Sequence, residues 1–182
     1  MSPDLRPAPQ MSESPRPNWR LECEMTAPVR IEQAFALFED PYNLTKVTPG
    51  WLKFRIETRH RISMSRGAEI DYTIRWLGLP VNWSTLITDY DPPRLFVDQQ
   101  IRGPYKVWRH RHEFRETAAG AIISDRVDYR LPLGFLGDLA HALVVRRQLI
   151  GIFRFRQRAI ADLLLPGDLA RISTSGPRVF RA

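Results

Sequence analysis

The segment Phe96 to Phe114, FVDQQIRGPYKVWRHRHEF, constrains this chain more than any other. Its second half alternates strictly. Trp108, His110, His112 and Phe114 fall on one face, and Val107, Arg109, Arg111 and Glu113 fall on the other. Side chains on a strand point to opposite faces in turn. A strand is therefore predicted here, with two aromatics and two imidazoles on one side and mainly charge on the other. Such a strand suits a sheet whose concave face lines an apolar cavity carrying a few polar groups.

The rest of the chain supports a sheet-rich architecture with a long final helix. Residues 19–26 alternate, with Trp19, Leu21, Cys23 and Met25 inward. A short helix follows, with Ile31, Ala34, Phe35 and Phe38 at helical spacing. Asp40-Pro41 opens a second, because Asp is a good N-cap and Pro suits the first helical position. Thr48-Pro49 closes it. Six further strands are predicted at about 52–60, 69–77, 81–90, 95–101, 106–116 and 121–131, with turn residues between them, such as Arg66-Gly67 and Gly103-Pro104. Such short connections make an antiparallel meander. A helix from 135 to 165 carries an apolar stripe through Leu136, Leu139, Leu143, Ile150, Phe153, Ile160 and Leu164. It would run roughly 40–45 Å, enough to cross a sheet.

The folded domain is placed at 19–165. Residues 1–18, rich in Pro and Ser, read as a disordered tail, and 166–182 as a flexible basic tail. The N-terminus has no apolar signal-like segment, and no apolar run is long enough to span a bilayer. A lone cysteine, Cys23, excludes an internal disulfide and reads as a buried structural thiol. These features point to a cytoplasmic setting. The net charge of +7 raises nucleic acid or an anionic membrane surface as partners. The arginines are scattered, which makes nucleic acid the weaker of these readings. Peripheral membrane contact stays open, as does the oligomeric state.

Four-residue connections at 102–105 and 117–120 would set the strand registers. Arg109 would face Asp98 and Asp128 in an outer charge ladder, a favourable cross-strand arrangement. Trp108 would face Gln99 and Tyr129, His110 would face Val97 and Val127, and His112 would face Leu95 and Asp125. A slip of one residue would reverse a face.

The order of elements and several motifs resemble the helix-grip fold of the START/Bet v 1-like (SRPBCC) superfamily, in its polyketide cyclase/dehydrase and lipid-transport branch. The motifs are Asp40-Pro41-x-Asn43-Leu44, Gly67-x-x-Ile70-x-Tyr72, Gly78-x-Pro80-x-x-Trp83, Phe96-Val97-Asp98-x-Gln100, Gly103-Pro104-Tyr105, Trp108-x-His110-x-His112-x-Phe114 and Asp125 with Tyr129-x-x-Pro132-x-Gly134. The resemblance covers about 20–162. It implies an α+β fold, a curved seven-stranded antiparallel sheet gripping the long helix, and a cavity for an apolar or aromatic small molecule or lipid. One such cavity serves many functions across this fold.

Residues expected to line the cavity are Tyr72, Trp83, Gln99, Trp108, His110, His112, Phe114, Asp125, Tyr129 and Phe153. Trp51, Trp76 and Trp83 read first as core. The candidate acid–base groups are His110, His112 and Asp125, with Tyr72 or Tyr129 able to donate to an enolate or phenolate oxygen. A cyclase, aromatase or dehydratase activity is therefore the alternative to simple binding. The same trio offers a two-histidine, one-carboxylate pattern. Hydrogen-bonded pocket histidines are the preferred reading, so neither a metal nor another cofactor is expected. Arg146, Arg147, Arg154, Arg156 and Arg158 read as the solvated side of the helix. No nucleophile elbow, phosphate loop or dinucleotide fingerprint is present.

Overall fold

The structure, a computed structural model, describes residues 16–182. Residues 1–15 of the expected N-terminal tail lie outside the described residues. Eight antiparallel strands form one sheet: β1 (Trp19–Ala27), β2 (Arg55–Ile56), β3 (Glu69–Trp76), β4 (Leu79–Asp91), β5 (Leu95–Arg102), β6 (Val107–Thr117), β7 (Gly120–Arg130) and β8 (Ser173–Arg181). Their order in space is β2-β3-β4-β5-β6-β7-β1-β8. Helix α1 (Ile31–Glu39) and two single-turn 3-10 helices connect β1 to β2. Helix α2 (Phe135–Ala140), a π-turn (His141–Val145) and helix α3 (Arg146–Leu164) form one continuous rod. The sheet grips that rod, as the helix-grip fold requires.

The local signals act as chemistry demands. Asp40 caps the 3-10 helix at Pro41–Thr45, its carboxylate accepting from the Tyr42 amide at 3.0 Å. Irregularities in the β4–β5 ladder, at Ser84/Thr85 and Ile87/Asp89, bend the sheet. Two apolar clusters result. Met25, Phe35, Phe96, Phe114, Ile123 and Ile160 anchor one, and Leu21, Val127, Tyr129, Leu149, Phe153 and Val179 anchor the other.

Four expectations change. The predicted strand at 52–60 shrinks to Arg55–Ile56, because Lys53 is left-handed (φ 47°) and delays its start, while the Glu57 and Thr58 amides converge on the one Asp71 carbonyl and break the ladder after Ile56. The predicted C-terminal tail contains β8, which pairs with the free edge of β1 from Trp19↔Arg181 to Thr26↔Ser173. Alternation there is weak, and only Pro177 and Val179 bury well, so the sequence reads as a tail. The helical stripe does not continue through Leu136, Leu139 and Leu143, which are exposed. The π-turn inserts an extra residue into the rod and rotates its face, burying His141 and Val145 in their place.

The fourth change matters most for the site. The β6–β7 register is as expected, with Arg109↔Asp128, His110↔Val127 and His112↔Asp125. The β5–β6 register is shifted by one, to Phe96↔His112, Asp98↔His110 and Gln99↔Arg109. The cause lies in the connection. The Gln100 side chain donates to the Tyr105 carbonyl at 2.7 Å and accepts from the Tyr105 amide at 3.2 Å. A Cβ on Gly103 would collide with that side chain. The turn is therefore not a simple four-residue hairpin, and β5 presents its other face. Asp98 points inward and Gln99 outward. In place of the expected ladder, Arg109 pairs with Asp89 at 3.4 Å and Asp128 pairs with Arg20 at 2.6 Å.

Gln157 of α3 locks β8 onto the fold. Its buried amide donates to the Glu24 carbonyl at 3.1 Å and the Ser175 carbonyl at 3.3 Å, next to the register shift in the β1–β8 ladder. Gln157→Leu leaves both carbonyls without this donor, at a cost of about 1–3 kcal/mol. Urea unfolding of the variant should show that loss, and an unchanged midpoint would contradict the role.

Candidate functional site

The sheet and the rod enclose a cavity of about 400 Å³. Its walls are mainly apolar. Ile74, Val81, Ile87, Leu149, Ile152 and Phe153 line it with Trp76, Trp83 and Trp108. Three aromatic rings stack beside one another on the sheet side. Tyr72 lies nearly parallel to Trp83, and Trp108 meets Trp83 edge-on with centroids 5.2 Å apart. Leu133 and Leu136, both exposed, continue the lining out to a rim.

One wall is polar. Asp98 from β5, His110 and His112 from β6 and Asp125 from β7 form a compact buried cluster. His110 Nε2 lies 3.0 Å from Asp125 Oδ1, and His112 Nε2 lies 3.0 Å from Asp98 Oδ2. His110 Nδ1 is 3.6 Å from Asp98 Oδ2. His112 Nδ1 is 2.7 Å from Asp125 Oδ1, a close contact without hydrogen-bond alignment. The rings of His110 and His112 lie with centroids 3.8 Å apart. Phe96 stacks on His112 and Phe153 meets His110 edge-on.

Burial and charge pull these groups in opposite directions. Burial favours protonation of Asp98 and Asp125, but the histidines beside them outweigh it and hold both carboxyls below their ordinary value. Burial lowers His110, and the neighbouring His112 charge lowers it further, against the pull of its carboxylates. Burial also opposes charge on His112, but the two aspartates prevail and raise it. The cluster thus pushes two chemically identical rings in opposite directions, His110 toward its neutral form and His112 toward its charged form.

The expected lining residues divide into two groups. Tyr72, Trp83, Trp108, His110, His112 and Phe153 border the cavity. The other four do not. Gln99 faces away because of the β5 register. Phe114 packs among Phe35, Phe38 and Phe96 in the first apolar cluster. Asp125 stands behind the two histidines, hydrogen-bonded to His110 and in close contact with His112. Tyr129 is fully buried beneath Trp108 and its hydroxyl contacts His141 Nε2 at 2.8 Å. Trp51, read as core, is half exposed in its 3-10 turn, while Trp76 and Trp83 line the cavity.

Residues 27–151 match the family described as "Polyketide cyclase / dehydrase and lipid transport". The chain belongs to that family. No protein of curated function matches it in sequence. Solved structures share its fold at low identity. TTHA0849 from Thermus thermophilus is 14% identical with a TM-score of 0.60, over 79% of this chain and 98% of its own. The di-domain ARO/CYC StfQ from the steffimycin biosynthetic pathway is 15% identical with a TM-score of 0.60, over 79% of this chain and 49% of its own. A nucleoside-diphosphate sugar epimerase from Corynebacterium glutamicum is 20% identical with a TM-score of 0.57, over 77% of this chain and 28% of its own. Membership in the polyketide cyclase/dehydrase and lipid-transport family establishes a ligand-binding domain. No helix among the described residues is long and apolar enough to cross a membrane.

Among the cavity residues that sequence reasoning misses in this family member, three bear on its chemistry. Asp98 is expected on the outer face and lies on the inner one. Tyr105 lies in the β5–β6 connection and packs against Trp83 and Trp108. Arg156, read as solvated, borders the cavity, lies over the Phe38 ring at 5.6 Å and has a buried Nε without a hydrogen-bond partner. A signal for Arg156 is present in the sequence. It follows Leu149 and Phe153 and precedes Ile160 along one helical stripe, a position otherwise reserved for apolar residues.

Cys23 sits behind the cluster, its Sγ 3.9 Å from Asp125 Oδ2. Burial pushes its thiol well above the ordinary value, and the Asp125 charge adds to that. A raised pKa leaves almost no thiolate at pH 8. The native thiol should react with a disulfide reagent on the order of a hundredfold more slowly than in denaturant. Equal rates in the two conditions would contradict this placement.

Proposed function

We propose that this chain binds one apolar or aromatic small molecule in its cavity, with a polar or anionic end of the guest directed at the cluster wall and Arg156. The observation that carries this reading is the pairing of an apolar interior of about 400 Å³ with a single polar wall. Such pockets take their affinity from apolar area and their orientation from a few placed polar groups. Arg156 supports an anionic end, because its buried Nε has unmet hydrogen-bonding capacity. The exposed rim residues Leu133, Phe135 and Leu136, with Arg146 and Arg147 farther along the rod, support loading or delivery at an anionic membrane surface. Nucleic acid is the weaker partner class, since the apolar cavity has no use for it.

Native mass spectrometry with a panel of fatty acids, sterols and aromatic polyketides should reveal a complex with one guest. Ile152→Trp, which fills the cavity from α3, should weaken binding about tenfold or more, in line with the loss expected from overpacking. Arg156→Gln should weaken a carboxylate-bearing guest more than its methyl ester. Phe135→Asp, outside the cavity lining, should retain affinity but slow transfer from anionic vesicles. Binding unaffected by Ile152→Trp would refute an internal site.

A second reading is turnover. A histidine held between carboxylates on a cavity wall is a plausible proton carrier, and Tyr72, whose phenol burial keeps protonated, is a neutral donor. The ARO/CYC neighbour shares only the fold. Turnover of a poly-β-keto substrate should disappear in the His110→Ala, His112→Ala double variant, and unchanged turnover would exclude this role.

A further inference from the structure

We propose that Asp98, His110 and His112 form a binding site for one divalent transition-metal ion, with Asp125 holding both imidazoles in place. The donor geometry is the first argument. One ligand atom from each of the three residues lies within 4.8 Å of the others. Asp98 Oδ2 is 3.0 Å from His112 Nε2 and 3.6 Å from His110 Nδ1. With donors about 2.1 Å from a cation, separations in this range correspond to angles of about 90° to 120°, within the spread from octahedral to tetrahedral coordination.

The second argument is the direction of the unused nitrogens. Each imidazole turns its other nitrogen to the same carboxylate: His110 Nε2 hydrogen-bonds Asp125 Oδ1 at 3.0 Å, and His112 Nδ1 lies in close, unaligned contact with it at 2.7 Å. A carboxylate behind a ligating histidine fixes its ring orientation and makes it a better ligand. Asp125 thereby leaves His110 Nδ1 and His112 Nε2 facing Asp98 together. Nothing in strand geometry alone requires two neighbouring rings to use opposite nitrogens for the same task. A shared cation on the Asp98 side accounts for it.

The third argument is access and charge. Asp98, His110 and His112 border the cavity, whereas Asp125 does not. Further coordination positions therefore open toward the space a guest would fill. The aromatic rings of Phe96 and Phe153, which also line the cavity, pack against the histidines and flank the site with apolar surface. Once both imidazoles give up any extra proton to act as ligands, the two carboxylates leave a charge that one divalent cation cancels. Two imidazoles and one carboxylate with open positions suit zinc, iron(II), cobalt or nickel, and not magnesium or calcium, which prefer oxygen alone. Cys23 stands on the far side of Asp125 and is not a ligand. The ion would polarise an oxygen of the guest. That role rests on the cavity reading, but metal binding is measured without any guest, so the two fail separately.

The experiment uses the full chain after chelator treatment and dialysis. Cobalt(II) titration followed by visible absorption should give one equivalent bound at micromolar affinity or tighter, with zinc displacing it. The proton NMR spectrum of the cobalt protein should show two exchangeable, hyperfine-shifted imidazole N–H resonances, one from each ring. Asp98→Asn and His112→Gln should each weaken binding at least about tenfold, and Asp125→Asn about 10–100-fold through loss of orientation. His60→Ala, on an exposed loop, should bind as the unaltered chain does. The NMR readout needs no variant, so a variant that fails to fold does not remove the test. No stoichiometric uptake of cobalt or zinc by the folded chain, a spectrum without the two shifted protons, or uptake lost in His60→Ala and retained in Asp98→Asn would each overturn the assignment.

Discussion

The interior of this protein is organised by four ionisable side chains that leave water together. Asp98, His110, His112 and Asp125 come from three adjacent strands and meet with heteroatom separations between 2.7 and 3.6 Å. Isolated burial of any one of them would be prohibitive, whereas mutual hydrogen bonding makes the set tolerable. Removing one member strands the others, and breaking such a buried pair typically costs about 3–5 kcal/mol. The cluster therefore depends on register. Only the pairing Asp98↔His110 and His112↔Asp125 puts the carboxylates and rings on one face.

From that requirement the rest of the architecture follows. Apolar clusters on either side of the polar group seal the sheet against the rod, one around Phe35 and Phe114 and the other around Leu21 and Tyr129. The rod crosses in front of the polar wall without filling the space before it. Phe153 reaches His110 and Arg156 reaches Phe38, and a hollow remains between them. A polar wall facing an apolar hollow gives a guest both area and orientation.

Much of the fold is legible in the sequence because alternation and turn chemistry are local. Six of the seven predicted strands match closely, and the His110/His112 face follows directly from Trp108-x-His110-x-His112-x-Phe114. The errors arise where the decisive contact is not local. The Gln100 side chain wraps the Gly103–Tyr105 turn and changes the register by one residue, which brings Asp98 inward and sends Gln99 out. The π-turn after Ala140 shifts the buried face by one residue, so Leu136, Leu139 and Leu143 lose the positions their spacing suggests. Strand β8 forms because the edge of β1 is free and Gln157 bridges the two, neither of which its own sequence reveals. Arg156 is visible as a charged residue on an apolar stripe, but flanking arginines make it look like part of a solvated face.

The central claim is that the hollow beside the cluster admits a guest. Fluorine NMR of protein containing 5-fluorotryptophan tests it directly, because the five tryptophans divide cleanly. Trp76, Trp83 and Trp108 line the hollow, whereas Trp19 stacks on His141 outside it and Trp51 is half exposed. On saturation with a binding guest, the first three resonances should shift and the last two should hold still. Shifts confined to Trp19 or Trp51, with the cavity resonances unmoved, would contradict the account.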